Sequence, residues 1–438
     1  MRFSSRLAGV LAAAVLAISL AACGDNGGSG GGSDAKVPDD PAQVKGDITY
    51  AIWDVNQQPA MQEIVKAFNQ KYPNVKVSIS LATFDQYFTK LKTQGSSDNL
   101  PDVFWMNGPN FQLFAANKQL ATLEGLTSDK DGAKQVDPAN YPKALNELYS
   151  LDGKQYGIPK DFDTIALWYN KRLFAEAKVA PPTADWTWDD YKAAAVKLKA
   201  ALGPKNIWAS GDTLGTQADF YPAMLSNGGF VVKDGKSGYG DPKSVEALQF
   251  WSDMVKNGYT PTAAQNAETK SQDRFFDGKA AMMWNGNWVV SAALKSPYKN
   301  DFTVVPIPKA PTGERKTVIH GIGNVMSAKS KNPQAAAAFL AFLGTKDAAL
   351  VQAKLGAANP AFTGTQTDFV NSAPQYNLKT YIEAAEQYSE PYPVSKDTAV
   401  WNNLEINELT PAIGGDKPIA DVAKDVATKM DEALGKEQ

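Results

Sequence analysis

Two aspartates, Asp161 and Asp163, are the residues whose type and spacing could most directly do chemistry in this sequence. They alternate along the segment YGIPKDFDTIALWYNK at 156–171, and alternate side chains of an extended strand point to one face. A carboxylate pair can act as general acid and base, as in glycoside hydrolysis, or can accept hydrogen bonds from hydroxyl groups. Glycosidase carboxylates flank the bond that breaks and normally come from different elements. Two aspartates on one strand have no such partner across a substrate, so their spacing favours binding.

Scarce residue types exclude several other chemistries. The chain has one histidine, His320, and one cysteine, Cys23. Zinc and transition-metal sites need clusters of such ligands, so neither a metal site nor a cofactor is expected. A Ser–His–Asp catalyst could be built only around His320, for which a neutral hydrogen-bonding role is the simpler interpretation. After the N-terminal segment the arginines are Arg172, Arg274 and Arg315, which argues against a clamp for an anionic ligand.

The N-terminus predicts export and lipid attachment. A largely apolar run at 7–20 is too short to cross a bilayer and is typical of a secretory signal. The residues Leu-Ala-Ala-Cys at 20–23 resemble the bacterial lipobox, in which the cysteine is acylated and the chain is cut just before it. We therefore expect a signal peptide at 1–22 and a lipid on Cys23. A chance cysteine in a conventional signal peptide is the alternative.

A tether is expected to follow Cys23. Six of the ten residues at 24–33 are glycine, and the others are Ser, Asp or Asn. Such a tract is flexible and cannot bury a core. We expect residues 23–45 to join the lipid to a folded body, with Cys23 taking no part in the chemistry of that body.

Composition describes the folded body. The 438 residues are 43% hydrophobic, which is enough for a sizeable core divided into two or three lobes. The formal net charge is −3 and basic residues are not clustered, which argues against nucleic acid as a partner. No later apolar run approaches the length of a membrane span.

The two aspartates must be positioned by the secondary-structure elements around them. The first of these elements lie at 47–106, where predicted strands and helices alternate. Short apolar runs predict strands at 48–52, 75–79 and 102–105, with amphipathic helices between them. Strand–helix–strand–helix–strand predicts a parallel, doubly wound sheet, which binds ligands at the carboxyl ends of its strands. Downstream the chain is mainly helical, and capping residues predict helix starts near Thr187, Asp241, Asn332 and Pro418.

Several segments, in this order, resemble family 1 extracellular solute-binding proteins, the maltose-binding-protein-like components of ABC sugar importers. The resemblance spans nearly all of the chain after the tether and depends on the order and spacing of the segments rather than on one motif. The segments are 47–81, PDVFWMNG at 101–108, YGIPKDFDTIALWYNK at 156–171, FFDGKAAMMWNGNWVVSAAL at 275–294 and HGIGNVMSAKSKNPQAAAAFLAFL at 320–343.

The resemblance implies an α/β, two-lobe periplasmic-binding-protein-like fold in which the chain crosses a hinge three times and ligand binds between the lobes. The crossings would fall at 159–164, 320–324 and 360–369. Lobe 1 would comprise 46–160 plus 320–362, and lobe 2 would comprise 161–319 plus 363–438.

The resemblance also implies which residues contact ligand. A pyranose ring has apolar C–H faces and a rim of hydroxyl groups, so aromatic side chains beside amides and carboxylates suit it. Trp288 matches a tryptophan that stacks on a sugar ring, and Trp401 matches another stacking position. The expected ligand contacts are Asn56, Gln57, Trp105, Asn107, Asp161, Asp163, Tyr221, Trp284, Trp288, His320, Gly321 and Trp401.

Some of these residues have a plainer interpretation. Asn56 and Gln57 could belong to a solvated loop closed by an Asx turn. Trp105 and Trp284 could instead be core residues, because tryptophan buries a large apolar surface. These alternatives stay open at the level of the sequence.

The function implied is that of an extracellular substrate-binding lipoprotein of an ABC importer, which captures a neutral oligosaccharide and delivers it to membrane permease subunits. Such a protein is not an enzyme; we expect a monomer, lipid-anchored at the outer face of a Gram-positive cell membrane. The alternatives are a surface glycoside hydrolase, which needs two functional carboxylates across a cleft, and a glycan adhesin without a transporter. Peptide or polyamine ligands are also conceivable, although few arginines and ten tryptophans fit neutral sugar better.

Overall fold

The structure, a computed structural model, describes residues 37–127 and 135–437. The predicted signal peptide and Cys23 lie outside the described residues, as does most of the predicted tether. The strands are β1 Gly46–Ile52, β2 Val75–Leu81, β3 Val103–Met106, β4 Ser150–Leu151, β5 Lys154–Gln155, β6 Gly157–Pro159, β7 Ile165–Asn170, β8 Trp208–Ser210, β9 Val232–Lys233, β10 Lys236–Ser237, β11 Ala280–Gly286, β12 Phe302–Pro306, β13 Thr317–Ile319, β14 Gly323–Met326 and β15 Ser389–Pro391.

Helices connect and cover these strands. They are α1 Gln58–Lys71, α2 Phe84–Gly95, α3 Gly108–Ala116, α4 Glu124–Thr127, α5 Lys143–Leu148, α6 Lys171–Ala177, α7 Trp188–Leu202, α8 Tyr221–Ser226, α9 Pro242–Lys256, α10 Ala263–Glu268, α11 Ser271–Phe276, α12 Val290–Lys295, α13 Pro333–Leu343, α14 Lys346–Lys354, α15 Gln366–Ser372, α16 Lys379–Gln387, α17 Thr398–Leu404, α18 Thr410–Ala412 and α19 Ile419–Gly435. Two π-helical turns, Thr216–Phe220 and Glu405–Leu409, adjoin α8 and α17.

The first sheet forms as the alternating pattern predicts, with one difference. Its strand order is β2-β1-β3-β14-β6, and β1 pairs in parallel with both β2 and β3. β14, however, runs antiparallel to β3 and to β6. The parallel arrangement predicted for the three strands at 47–106 is therefore confirmed, but the sheet as a whole is mixed, because its fourth strand comes from far downstream rather than from the next strand–helix unit.

The second sheet has the order β12-β7-β11-β8. β7 pairs antiparallel with β11 and β12, and β8 runs parallel to β11. The helix starts predicted around this sheet and beyond it are confirmed, since each predicted residue is the N-cap of a helix. At the start of α7 the capping box is complete, because Thr187 and Asp190 each accept a hydrogen bond from the other's backbone N–H.

Buried apolar side chains form three cores. The first core surrounds the five-stranded sheet, and the second and third lie on opposite faces of the four-stranded sheet. Ile165 and Leu167 of β7 enter the second core while Ala166 and Trp168 enter the third, as alternate side chains of a strand must. Apart from Ala353, a lone member of the third core in α14, buried residues change between the first core and the other two at three places along the chain: between Phe162 and Ile165, between Val318 and Ile322, and between Ala361 and Phe369.

The chain at these three places forms three linking segments, 160–163, 320–322 and 359–361, which lie side by side. The backbone N–H of Asp163 donates to the carbonyl of His320 at 2.8 Å, and that of Phe162 donates to the carbonyl of Asn359 at 3.0 Å. The segment 160–163 is therefore central and bonds to both of the others.

One further property concerns helix length. Within 37–127 and 135–437, no single helix is both long and apolar enough to cross a membrane, and α13 with α14 meets the criterion only as a pair bent by 61°.

Candidate functional site

Asp161, in the central linking segment, has both carboxylate oxygens engaged by the protein. Its Oδ2 lies 2.7 Å from Nζ of Lys160, and its Oδ1 accepts a 2.7 Å hydrogen bond from the backbone N–H of Ile322. Both side chains of the ion pair are buried. A buried carboxylate is tolerated when it is paired and hydrogen-bonded, and Asp161 is both. It therefore joins two linking segments and has little capacity left for a ligand.

Lys160 brings three of the expected site residues together. Its Nζ donates to Oε1 of Gln57 at 2.8 Å, besides pairing with Asp161. The same ammonium lies 4.7 Å from the centre of the Trp105 ring, within the range of a cation–π contact. Gln57 and Trp105 are themselves buried, so in this conformation both contact protein rather than open solvent.

Gly321 occupies the closest approach between two linking segments. A Cβ on Gly321 would lie 2.0 Å from the carbonyl oxygen of Asp161, so no side chain fits there. The Gly321 carbonyl accepts a hydrogen bond from the hydroxyl of Tyr149. Gly321, which was predicted to contact ligand, thus has a packing role in the backbone, and the predicted contact stays a prediction.

Asp163 differs from Asp161 in its partners. Its Oδ1 accepts a hydrogen bond of 2.5 Å from Nε2 of Gln217, which lies in the first π-helical turn. Its Oδ2 lies 3.8 Å from Nδ1 of His320, too far for a hydrogen bond. Burial raises the pKa of Asp163, while the neighbouring His320 opposes that shift. One carboxylate oxygen of Asp163 is thus available to accept a hydrogen bond from another group.

His320 is held in one tautomer. Its Nε2 accepts a hydrogen bond of 3.2 Å from the backbone N–H of Gly108, so this nitrogen carries no proton in that arrangement. The proton of the neutral ring is then on Nδ1, which faces Asp163. The ring centre of His320 also lies 4.6 Å from that of Tyr392. This arrangement matches the neutral hydrogen-bonding role expected from the sequence.

Two asparagines lie on loops at the edge of the first sheet. Oδ1 of Asn107 caps α3 by accepting a hydrogen bond from the backbone N–H of Asn110 at 3.3 Å. Oδ1 of Asn56 accepts one of 3.1 Å from Nζ of Lys295, at the end of α12. The contact of Asn56 therefore links the loop after β1 to α12, a helix that follows β11 of the second sheet.

Of the four tryptophans expected at the site, Trp288 is the one with exposed surface. Trp105, Trp284 and Trp401 are each 0% exposed. Trp288 follows β11 in a short 3₁₀ turn and is partly buried against both the second and third cores. Its ring lies directly over Gly286, where a Cβ would be 1.8 Å from a ring carbon. Trp288 thus combines a fixed position with partial exposure.

Three expected contacts lie inside the second core. The ring centre of Trp284 lies 5.1 Å from that of Trp251, at an angle of 84°. The Tyr221 hydroxyl donates to the buried carboxylate of Glu405, and Nε1 of Trp401 donates to Oγ of Ser395 at 2.8 Å. None of the three offers surface to a ligand in this conformation. Core packing, left open above for Trp284, describes them.

Aromatic residues that sequence reasoning missed extend the site on the first sheet. Trp53, at the end of β1, contacts Trp105 edge-to-face with ring centres 5.1 Å apart. Trp53 also contacts Phe84 at 5.7 Å, and Phe84 is 49% exposed. The signal was present in the sequence, because an aromatic residue that ends a strand before a polar loop is well placed to face a ligand. Lys160 and Gln217 gave no comparable local signal.

The arrangement suits binding better than catalysis. Asp161 is neutralised by Lys160, so Asp163 has no second free carboxylate in its own segment. Within the described part of the chain, no group of three or more His, Cys, Asp and Glu residues could hold a metal ion. The groups that remain for a ligand are hydrogen-bond acceptors, amides and a partly exposed indole.

The family model described as "Bacterial extracellular solute-binding protein" matches residues 53–350. The chain belongs to this family. The resemblance noted in the sequence is thereby confirmed, and the matched range includes the segments that carry Trp53, Asp163 and Trp288.

Relatives within this solute-binding family match most of the chain. A binding protein of Brucella abortus (strain 2308) is 30% identical over 306 residues, covering 68% of this chain and 72% of the relative. The maltooligosaccharide ABC transporter solute-binding lipoprotein of Streptococcus pneumoniae is 26% identical, covering 98% and 97%. The solved ABC substrate-binding protein of Listeria monocytogenes, in complex with cycloalternan, aligns with a TM-score of 0.81 and 28% identity, covering 89% and 99%. This alignment confirms the α/β, two-lobe fold that the family resemblance implied.

Proposed function

We propose that this solute-binding protein captures a neutral oligosaccharide between two lobes and presents it to the permease of an ABC importer. The observation that carries the proposal is the position of Asp163. This buried carboxylate lies in the central linking segment, next to Gln217 from one side and His320 from the other, with an oxygen free to accept a hydrogen bond. The names of the relatives from Streptococcus and Listeria support a glucose-based oligosaccharide as the first ligand class to test.

Asp163 and Trp288 would supply the two kinds of contact that a sugar requires. Asp163 would accept hydrogen bonds from ring hydroxyls, and the partly exposed indole of Trp288 would cover the C–H face of a ring. Trp53 and Phe84 extend the apolar surface on the opposite side. The alternatives of a glycoside hydrolase and an adhesin are weaker, the first because Asp161 is paired with Lys160 and cannot serve as the second carboxylate.

Closure of the lobes would be stabilised by a ligand that contacts both lobes at the same time. A ligand stabilises the closed form only if it touches both lobes there and not in the open form. Asn56 and Lys295 supply one such contact of the protein itself, at 3.1 Å.

The lobe boundaries and the three hinge crossings remain proposals. The changes of core membership near 162, 320 and 361 support crossings at 159–164, 320–324 and 360–369. They support a first lobe of 46–160 plus 320–362 and a second of 161–319 plus 363–438.

Anchoring is also proposed. Acylation of Cys23 would hold the protein at the outer face of the cell membrane as a monomer on a flexible tether. The relative from Streptococcus pneumoniae, a Gram-positive bacterium, carries "lipoprotein" in its name, which supports this arrangement.

A thermal-shift and calorimetric screen tests the binding proposal. We expect at least one neutral saccharide from a panel of maltooligosaccharides, cyclic glucans and other oligosaccharides to raise the melting temperature in a concentration-dependent way. Peptides and polyamines serve as the competing ligand classes. A shift with peptides and none with any saccharide would contradict the proposal.

A further inference from the structure

The end of β11 lies beside the place where the central linking segment runs into β7. β11 pairs antiparallel with β7 as far as Gly286, which lies opposite Ile165. A regular ladder would next place Asn287 opposite Thr164. The backbone turns away instead, because Asn287 begins the 3₁₀ turn that carries Trp288. The backbone groups just before β7 therefore need other partners.

The side chain of Asn287 supplies those partners. Its Nδ2 donates to the carbonyl of Phe162 at 3.0 Å, and its Oδ1 accepts a longer, weaker bond of 3.4 Å from the backbone N–H of Thr164. A side-chain amide has the same kinds of donor and acceptor as a peptide group, so it can take the place of the missing strand residue. Asn287 is 1% exposed, which leaves water little access to either bond.

Asp163 is the residue between the two backbone groups that this amide holds. Its own backbone is bonded on the opposite edge, where its N–H donates to the carbonyl of His320 at 2.8 Å and its carbonyl accepts from the N–H of His320 at 3.1 Å. The peptide groups on both sides of Asp163 are therefore fixed, and they fix the direction of its Cα–Cβ bond. Gln217 then holds one carboxylate oxygen at 2.5 Å, so the direction of the other oxygen is set as well.

Asn287 is also the neighbour of Trp288 in the chain. The ring of Trp288 lies over Gly286, where a Cβ would be 1.8 Å from a ring carbon, so the indole folds back over the end of β11. The backbone of Asn287 thus connects the strand end to the indole, and its side chain is bonded to the residues on either side of Asp163. One residue therefore attaches the two expected sugar contacts to each other.

We propose that Asn287 is a positioning residue whose side-chain amide keeps Asp163 and Trp288 in the mutual arrangement that a sugar ring requires. Asn287 was not among the residues expected from the sequence to contact ligand, and this role needs no contact of its own with the ligand. The proposal rests on the proposed function, because Asp163 and Trp288 are the contacts through which that function is proposed to act.

The role depends on the amide group rather than on the size of the side chain. Asn287→Ala removes the donor and the acceptor together. The carbonyl of Phe162 and the N–H of Thr164 would then lose their partner in residues that are 6% and 0% exposed. A buried polar group without a partner is costly, so we expect the segment to shift until both groups find partners. Asp163, which lies between them, would move with the segment.

The experiment measures affinity by calorimetry for the parent, Asn287→Ala and Asn285→Ala, with the maltooligosaccharide or cyclic glucan that gives the parent its largest thermal shift. Asn285 is the matched control, a buried asparagine of the same strand whose amide contacts Sδ of Met283 at 3.5 Å and the N–H of Gly286 at 2.9 Å, both local. We expect Asn287→Ala to bind roughly tenfold more weakly and Asn285→Ala to stay within about twofold of the parent. Asn287→Ser, whose single hydroxyl cannot bridge both partners, replaces Asn287→Ala if that variant does not fold.

A double-mutant cycle separates positioning from general damage to the fold. In the Asp163→Asn protein the ligand has lost its bond to a charged group, so the exact direction of that side chain matters less. We expect Asn287→Ala to weaken binding there by less than about threefold. An equal fold loss in the parent and in Asp163→Asn would overturn the proposal, as would parent-like affinity in a folded Asn287→Ala protein.

Hydrogen exchange without ligand tests the attachment itself. The amide of Thr164 should exchange at least roughly tenfold faster in Asn287→Ala than in the parent, and at the parent rate in Asn285→Ala. If no saccharide binds the parent, the proposed function is wrong, and the exchange rate still decides whether Asn287 holds the linking segment. Unchanged exchange at Thr164 would overturn the positioning role even if saccharide binds.

Discussion

Two pairs of like residues distinguish two regions of the molecule. In the enclosed region the protein itself contacts the whole side chain, and in the open region part of the side chain is left for a ligand. Asp161 and Trp284 are enclosed, the first by Lys160 and Ile322 and the second by the second core. Asp163 and Trp288 lie two and four residues further along the same segments, yet Asp163 has an oxygen without a hydrogen-bond donor within 3.5 Å and Trp288 is partly exposed. The difference teaches that residue type alone does not identify a binding residue. A binding residue is identified by a hydrogen-bonding atom or an apolar surface that no other part of the protein contacts.

The largest expected effect is on the enclosed aspartate. Asp161→Asn leaves the buried ammonium of Lys160 without its counter-charge, which should cost about 3–5 kcal/mol of folding free energy. Denaturant unfolding measures this loss. The control is Asp185→Asn, because Asp185 pairs with Lys309 at 3.1 Å but is 90% exposed, and it should cost less than about 1 kcal/mol. Intact stability with lost binding would place Asp161 in the open region.

Substitution of the two tryptophans should have opposite consequences: loss of Trp284 should mainly affect folding, and loss of Trp288 should mainly affect binding. Trp284→Ala should lower the free energy of unfolding by about 3–5 kcal/mol, because it leaves a cavity in the second core. Trp288→Ala should weaken oligosaccharide binding by about 2–4 kcal/mol, as a stacking contact does, and should cost much less in folding. The melting temperature of each ligand-free variant beside its affinity tests the pair. Collapse of Trp288→Ala with normal affinity would assign Trp288 to the core.

A smaller effect is expected from the open aspartate. Asp163→Asn should weaken ligand binding by about 1.5–3 kcal/mol, the value of a hydrogen bond to a charged group. Folding should not suffer. Burial raises the pKa of Asp163, so ionisation costs stability as pH rises, and an asparagine avoids that cost. The variant should therefore gain stability relative to the parent with increasing pH, which thermal unfolding across a pH series would detect; a relative loss would reverse this assignment.

The sequence predicted features whose causes are local. The helix starts at Thr187 and Asp241 follow from capping side chains that act within one turn, and the start at Asn332 follows from the proline at the first helical position. The strand and helix alternation at 47–106 follows from the period of apolar residues in the same way. The family resemblance then supplied the two-lobe fold, which these local patterns could not.

Contacts between distant parts of the chain could not be predicted in this way. Lys160 meets Gln57 across 103 positions of sequence, and β14 joins the first sheet from far downstream. The motif WNGNW offers no sign that its two tryptophans differ. The cause is that β11 ends at Gly286 and a 3₁₀ turn begins at Asn287, so Trp288 leaves the face on which strand alternation would have placed it with Trp284.

The three linking segments, joined edge to edge by backbone hydrogen bonds, have a mechanical consequence. A single strand could twist or slide in any direction. A ribbon of three strands bends easily only out of its own plane, because bending within the plane would stretch the hydrogen bonds along one edge. If the lobes close about these segments as proposed, the two sheets would swing along one arc. A molecule bound between them would then meet the same two surfaces, in the same alignment, each time it is captured.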